Sequence, residues 1–398
     1  MIKLKMMQKK IKNTNKYILG ALLLAMVLMA GCSSDVQQND VAQETAPVAE
    51  APSQETETPT EVTDPTTGNL TVMDAADKVV SANAQEAEAP SQEPAPAPAE
   101  EEEQEVIKQD GKVVVDIIMF MGQSNMSGCG GDASQAPIVK PGAAYDFRAI
   151  SDPTRLYSIA EPFGINENQV GGIVEYPGGK KGSLVSAFAN TYYQETGVPM
   201  IAVSASAGAT TTEYWTRQAI VYDFVERHQR AKIWLEGNDY YVRNQYVIWL
   251  QGESDADKGV TAQQYTENMD NIIRPLFING IQKVFIIRPG RTIDKANYFD
   301  DVIKAQTEMC KTSGYYALAS TMMSGFGTTY MVDQWHYNQA ALNMLGEDAA
   351  KNVAYYTNNR KEACMYDYKY QNTYIPEGFD YPADTVVQPI AIEPYQAR

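Results

Sequence analysis

The chain has 398 residues with 50 acidic and 32 basic side chains, two histidines, four cysteines and a formal charge of −18. Residues 33–110 hold 19 acidic and two basic side chains, so most of that charge sits there and says little about a substrate. The rest is still net negative, which argues against nucleic acid as a partner, and no metal-type spacing of Cys or His calls for a metal or other cofactor.

At the N-terminus, Lys3, Lys5, Lys9, Lys10, Lys12 and Lys16 precede the apolar run Tyr17 to Ala30. A basic region, a short apolar stretch and small residues are the pattern of a secretory signal over residues 1–31. Leu28-Met29-Ala30-Gly31 before Cys32 resembles the bacterial lipobox. That resemblance implies lipidation of Cys32 and anchoring at the extracellular face of the cell membrane; an ordinary secretory signal with a chance cysteine is the alternative. Residues 32–110 are rich in Ala, Pro, Glu, Gln, Thr and Ser. Such a segment buries too little apolar surface to offset its conformational entropy and is expected to be a disordered tether. As a coil it would span on the order of 50 Å.

From residue 111 to 398 the pattern changes to one folded domain. Strand-like apolar runs fall at Val113–Met121, Met200–Ser204, Tyr246–Leu250, Lys283–Arg288 and Tyr316–Thr321. Helical patterns fall between them, at Ser183–Thr196, Ala219–Glu236, Ala262–Ile278 and Asp300–Thr312, and after the last strand at Asn338–Tyr356. Strands apolar throughout and separated by helices predict a three-layer α/β/α sandwich, flavodoxin-like, around a mostly parallel five-stranded sheet. Beyond Tyr356 no periodicity is legible, and the tail is expected to wrap the same domain. Oligomeric state is not readable. Leaving Cys32 aside, the cysteines are Cys129, Cys310 and Cys364, an odd number, so at least one thiol is free or pairs outside the chain.

In parallel sheets the working residues lie just beyond the carboxyl ends of the strands. The first strand runs into Gly122-Gln123-Ser124-Asn125-Met126 and the second into Ala207-Gly208-Ala209-Thr210. The third runs into Gln251-Gly252-Glu253-Ser254-Asp255, and Asp333-Gln334-Trp335-His336 follows the last. A serine hydroxyl needs a base, and the base needs an orienting group. His228 lies in a helix dense in Glu, Arg and Gln and reads as a solvated surface residue. His336 follows Asp333 by three residues, a spacing at which the carboxylate can accept the imidazole Nδ1–H. The oxyanion needs donors in place: the N–H of Ser124, the N–H of Gly208 and the amide of Gln251 are candidates, although Gly208 could be turn chemistry and Gln251 a loop cap. The Gly-x-Ser-x-Gly elbow of α/β-hydrolases is absent, because Met126 stands at its second glycine.

Together these blocks, over roughly residues 112 to 355, resemble the SGNH (GDSL-type) hydrolase superfamily, and within it the sialate O-acetylesterase-like group that includes acetylxylan esterases. The resemblance implies that Ser124 is acylated, His336 is the base, Asp333 orients it, and Gln251 replaces the asparagine of other SGNH enzymes as an oxyanion donor. One block departs from the group's Gly-Gly-(Thr/Ser): here it is Ala207-Gly208-Ala209-Thr210, in which Gly208 is the natural donor and the alignment is open by one position. Gln123, Asn125 and Glu253 are candidate supporting residues, Glu253 as a loop brace. The implied activity is removal of O-acetyl groups from a carbohydrate, with Tyr214, Trp215, Trp335 and Tyr337 as aromatics that could face sugar rings or simply fill core and rim. The alternatives are another SGNH esterase or lipase, and a glycan-binding lipoprotein without turnover.

Overall fold

The computed structural model describes residues 106–396. The expected signal at 1–31, the lipidation site Cys32 and all but the last residues of the expected tether lie outside the described residues. The sheet begins with β1 (Lys108–Gln109), which pairs antiparallel with β2 (Lys112–Gly122), so folded structure starts before the expected boundary at residue 111.

The sequence of β2 explains its place. Val115, Ile117, Met119 and Met121 pack on one side, Ile118 and Phe120 on the other, all buried. A strand apolar on both faces must be covered on both faces and paired on both edges. It is: β2 lies parallel between β5 (Met200–Ser206) and β6 (Tyr240–Leu250). Beyond β5 come β3 (Ala144–Phe147), parallel, and β4 (Leu156–Ser158), antiparallel. Beyond β6 come β7 (Lys283–Ile287) and β8 (Tyr316–Ser320), both parallel. The order is β4-β3-β5-β2-β6-β7-β8, with β1 paired to β2.

The five expected strands are therefore the core of an eight-stranded sheet. The three missed strands, β1, β3 and β4, have two to four residues, too short to show a period, and β3 carries Asp146 in its middle.

Helices cover both faces, as three layers require. On one side lie α2 (Val185–Thr196) and α8 (Gln339–Asn359); on the other lie α4 (Gln218–Gly237), α6 (Ala262–Ile278) and α7 (Asp300–Thr312). Three short helices follow strand ends: α1 (Ser124–Ser127), α3 (Thr212–Thr216) and α5 (Glu253–Asp257). The tail after α8 docks rather than dangles. Its hairpin, β9 (Met365–Asp367) and β10 (Asn372–Tyr374), is clamped to β7 by the buried pairs Arg288–Asp367 (2.5 Å) and Lys283–Glu362 (2.6 Å). Among the described residues no helix is long and apolar enough to cross a membrane.

The chain leaves β2 toward β3 and β5, then crosses to β6 on the other side. At such a reversal the carboxyl ends of neighbouring strands diverge and open a crevice. The ends of β2, β5 and β6 carry Ser124, Gly208 and Gln251.

Candidate active site

Strand β2 ends at Gly122, whose φ is +141°. A Cβ there would lie 2.0 Å from the Leu250 carbonyl oxygen, so only glycine fits between β2 and β6. Gln123 follows in extended conformation, and its side-chain Oε1 accepts from Ser254 N at 3.2 Å and Gln251 Nε2 at 3.2 Å. That tie fixes the entry to α1 against α5. Ser124 is the first residue of α1, 5% exposed, with its backbone N–H among the helix donors that have no intrahelical partner. Nucleophile and free donor thus come from one turn.

The candidate base is His336. His336 Nδ1 lies 2.7 Å from Asp333 Oδ2, while Asp333 Oδ1 accepts the N–H groups of Trp335 (2.8 Å) and His336 (2.9 Å). Burial pushes the Asp333 carboxyl up, but the bonds from the imidazole and the two backbone donors outweigh it, and its pKa is held below the ordinary value. With Nδ1 engaged on a carboxylate, Nε2 is the nitrogen available to take a proton.

Asn125, the residue after the serine, joins the two halves. Its Oδ1 accepts Tyr337 N (3.3 Å), and its Nδ2 donates to the Trp335 carbonyl (3.2 Å) and to Glu253 Oε1 (2.7 Å). The amide therefore grips the residues on either side of His336. Gly130 closes the same contact: a Cβ there would meet Tyr337 O at 2.3 Å and His336 Cβ at 2.9 Å. Glu253 braces this arrangement, and burial pushes its carboxyl upward.

Two expected oxyanion donors are otherwise engaged. Gln251 is fully buried; its amide nitrogen faces three acceptors, Thr210 O (2.9 Å), Gln123 Oε1 (3.2 Å) and Asp255 Oδ2, so its two hydrogens are engaged. The Gly208 N–H donates to Glu175 Oε2 at 2.9 Å. Glu175 was not legible in the sequence, because it arrives from the irregular segment between β4 and α2. It is 3% exposed, and Ser127 of α1 also donates its hydroxyl to it. Nearby, the buried Lys180 amine donates to Ser206 Oγ (2.7 Å), and burial pushes its pKa down to about 8. Ala209, the next residue after Gly208, is exposed and holds a left-handed φ of +56°. A non-glycine residue in that region is uncommon, and such strain concentrates at functional loops.

Other expectations also change. His228 is fully buried, not solvated, with Nε2 2.9 Å from Gln245 Oε1, and burial depresses its pKa to about 4. Its helix turns Asp223 and Arg227 inward as a buried pair at 2.7 Å, so the charged composition that suggested a wet face was misleading. Trp215 and Tyr337 are core residues at 0% and 1% exposure: Trp215 Nε1 pins Thr210 Oγ1 at 3.0 Å, and Tyr337 OH receives Arg291 N at 3.0 Å. Trp335 remains half-buried beside His336. Cys129, Cys310 and Cys364 are all unpaired. Cys129, a few residues from Ser124, is buried and its thiol is pushed up to about 11, which makes it a poor competing nucleophile.

Residues 114–355 match the model of the family described as carbohydrate esterase, sialic acid-specific acetylesterase. A comparison with curated proteins gave no match. Among solved structures, a protein of Arabidopsis thaliana is 22% identical, covering 61% of this chain and 98% of that one, with a TM-score of 0.44. A carbohydrate acetylesterase from Xanthomonas citri is 16% identical over 61% of this chain and 56% of its own, with a TM-score of 0.38. An acetylxylan esterase from Geobacillus stearothermophilus is 9% identical over 59% and 91%, with a TM-score of 0.32. Because the family match spans well over half of the residues, the chain belongs to the carbohydrate esterase, sialic acid-specific acetylesterase family and is a serine carboxylic-ester hydrolase.

Proposed function

We propose that the protein removes O-acetyl groups from carbohydrate through an acetyl-enzyme on Ser124. The observation that carries this is the Asn125 amide, which sets the His336–Asp333 pair against the turn that bears Ser124. Ser124 Oγ attacks the acetyl carbonyl carbon as its proton passes to His336 Nε2, and Asp333 stabilises the imidazolium. The oxyanion is met by the N–H of Ser124 and, since Gly208 and Gln251 are engaged, by the N–H of the strained Ala209. Collapse breaks the bond to the sugar oxygen, which leaves as a hydroxyl with the proton from Nε2. Water then attacks acetyl-Ser124 with His336 as base, and acetate departs.

Export and tethering belong to the same proposal. The basic start, the apolar run and the lipobox-like Leu28-Met29-Ala30-Gly31-Cys32 support a lipid anchor at the outer face of the cell membrane, with the acidic segment from 33 to about 110 as the tether. The substrate is then a glycan outside the cell.

The test is rapid acid quenching of the enzyme with an acetylated sugar, followed by intact-mass and peptide analysis. A single acetyl group on the peptide containing Ser124 is expected. Turnover with Ser124 unmodified at every time point, in the presence of slowed deacylation, would overturn the covalent route.

A further inference from the structure

The proposed chemistry needs Ser124 and the Gly208–Ala209 turn held at a fixed separation, yet the sheet stops short of both. The β2–β5 ladder ends with Ala207 N donating to Gly122 O at 3.0 Å. Beyond it run a four-residue helix on one side and an irregular loop on the other. One buried side chain spans them. Glu175 Oε2 accepts the Gly208 N–H at 2.9 Å and also the hydroxyl of Ser127, in the helix that Ser124 opens. Two glycines clear its place: a Cβ on Gly208 would lie 2.9 Å from Glu175 Oε1, and one on Gly179 would lie 2.5 Å from it. Asn168 grips the Glu175 backbone at two points, accepting its N–H at 2.9 Å and donating to its carbonyl at 3.1 Å. Glu175 Oε1 accepts Tyr176 N at 3.1 Å. The carboxylate is therefore oriented by its own loop before it meets Gly208.

A carboxylate taken out of water needs donors and an opposing charge. Here the charge reaches it through two hydroxyls. The Lys180 amine donates to Ser206 Oγ at 2.7 Å, Ser206 Oγ lies 3.0 Å from Ser127 Oγ, and Ser127 bonds to Glu175. All four side chains are buried. Burial depresses the Lys180 pKa to about 8, against Glu175 and Glu161, which favour its charge, so the amine is a cation at neutral pH. Arg227, which opposes that charge, is itself committed to Asp223 and to the Ser204 carbonyl. An ammonium only donates and a carboxylate only accepts. The two hydroxyl hydrogens must then run one way, from Ser206 to Ser127 to Glu175. That ordered chain joins the end of β5, α1 and the Gly208 loop into one unit.

We propose that Glu175, oriented through the Lys180–Ser206–Ser127 chain, is a positioning residue: it fixes the Ser124 turn against the Gly208–Ala209 loop, and with them the distance from nucleophile to oxyanion donor. This rests on the esterase reading above. The experiment compares the full chain with Glu175→Gln, Lys180→Met and the double variant on p-nitrophenyl acetate. Glu175→Gln keeps the shape but replaces one acceptor with a donor. It is expected to lower kcat about 10- to 100-fold with KM within about twofold, and to weaken binding of methylboronic acid, a tetrahedral mimic on Ser124, by a similar factor. Lys180→Met should cost about fivefold and add little to Glu175→Gln, because both act through one chain. A kcat for Glu175→Gln within twofold of the parent would overturn the proposal, as would a loss explained by fewer titratable active sites with boronate affinity unchanged. Hydrogen–deuterium exchange reads the clamp without catalysis. Faster exchange over 122–130 and 204–212 in Glu175→Gln is expected, and unchanged exchange in both would refute the clamp. Ser124→Ala answers the separate question: hydrolysis that survives it removes the esterase reading, and the exchange result then decides the clamp alone.

Discussion

The two histidines of this protein make one comparison within a single chain. His336 and His228 each hold a partner at nearly the same distance, Asp333 Oδ2 at 2.7 Å and Gln245 Oε1 at 2.9 Å. The partners differ in charge and the sites in wetness. At His336 the partner is a carboxylate whose pKa is held down by the imidazole and two backbone donors, and the ring is half-buried. A proton arriving there meets a negative charge. At His228 the partner is a neutral amide in the core, and a proton arriving there must be desolvated without compensation. The same side chain is thus the proposed base in one place and a neutral packing element in the other. Position alone decides, through the second group each ring touches.

The largest effect expected from this contrast is on the His336 side. Ser124→Ala or His336→Gln should each cost on the order of 10⁴-fold in kcat on p-nitrophenyl acetate, and combining them should cost little more, because the two act as one unit. Asp333→Asn leaves the shape but removes the charge, and a loss of roughly 10³-fold is expected in steady-state kinetics. Asn125→Ala acts only through position: it frees the Trp335 carbonyl and the Tyr337 N–H that bracket His336. A loss of about 10- to 100-fold in kcat is expected, with the fold kept by circular dichroism.

The smallest catalytic effect belongs to His228. His228→Gln should keep esterase activity, yet change how stability responds to pH. In the folded protein its pKa of about 4 lies below the ordinary 6.5. Its neutral burial therefore contributes in full above pH 6.5, and that contribution is lost as pH falls toward 4. The shift corresponds to about 3 kcal/mol at most. Chemical denaturation of the wild type should show stability falling between pH 6.5 and 4, and the variant should show a shallower fall. Identical slopes would mean that His228 does not titrate as its burial requires.

Much of this was legible in the sequence, and the misses have physical causes. The five core strands were readable because strands buried on both faces are long apolar runs, and α6 and α7 because their apolar faces recur at helical spacing. The edge strands were not, since two to four residues carry no period. Ser124, Asp333 and His336 stood out in the sequence as polar residues after strand-like runs, and the structure places Asp333 against His336. Glu175 was invisible, because a buried carboxylate in an irregular loop leaves no pattern. Its capture of the Gly208 N–H is what leads the proposed mechanism to the N–H of Ala209 as second oxyanion donor. The bonds of Gln251 were hidden for the same kind of reason: its partners Thr210 and Asp255 come together only in space. The aromatics near the motifs were left open between sugar-facing and core because sequence distance does not distinguish a core ring such as Trp215 from a half-buried one such as Trp335.

The most direct test of the central claim is acetate release from an acetylated neutral oligosaccharide by the full chain, beside Ser124→Ala, His336→Gln and His228→Gln. The account predicts release that vanishes with the first two variants and persists with the third. Release that survives Ser124→Ala, or that is lost with His228→Gln while the fold is intact, would contradict it.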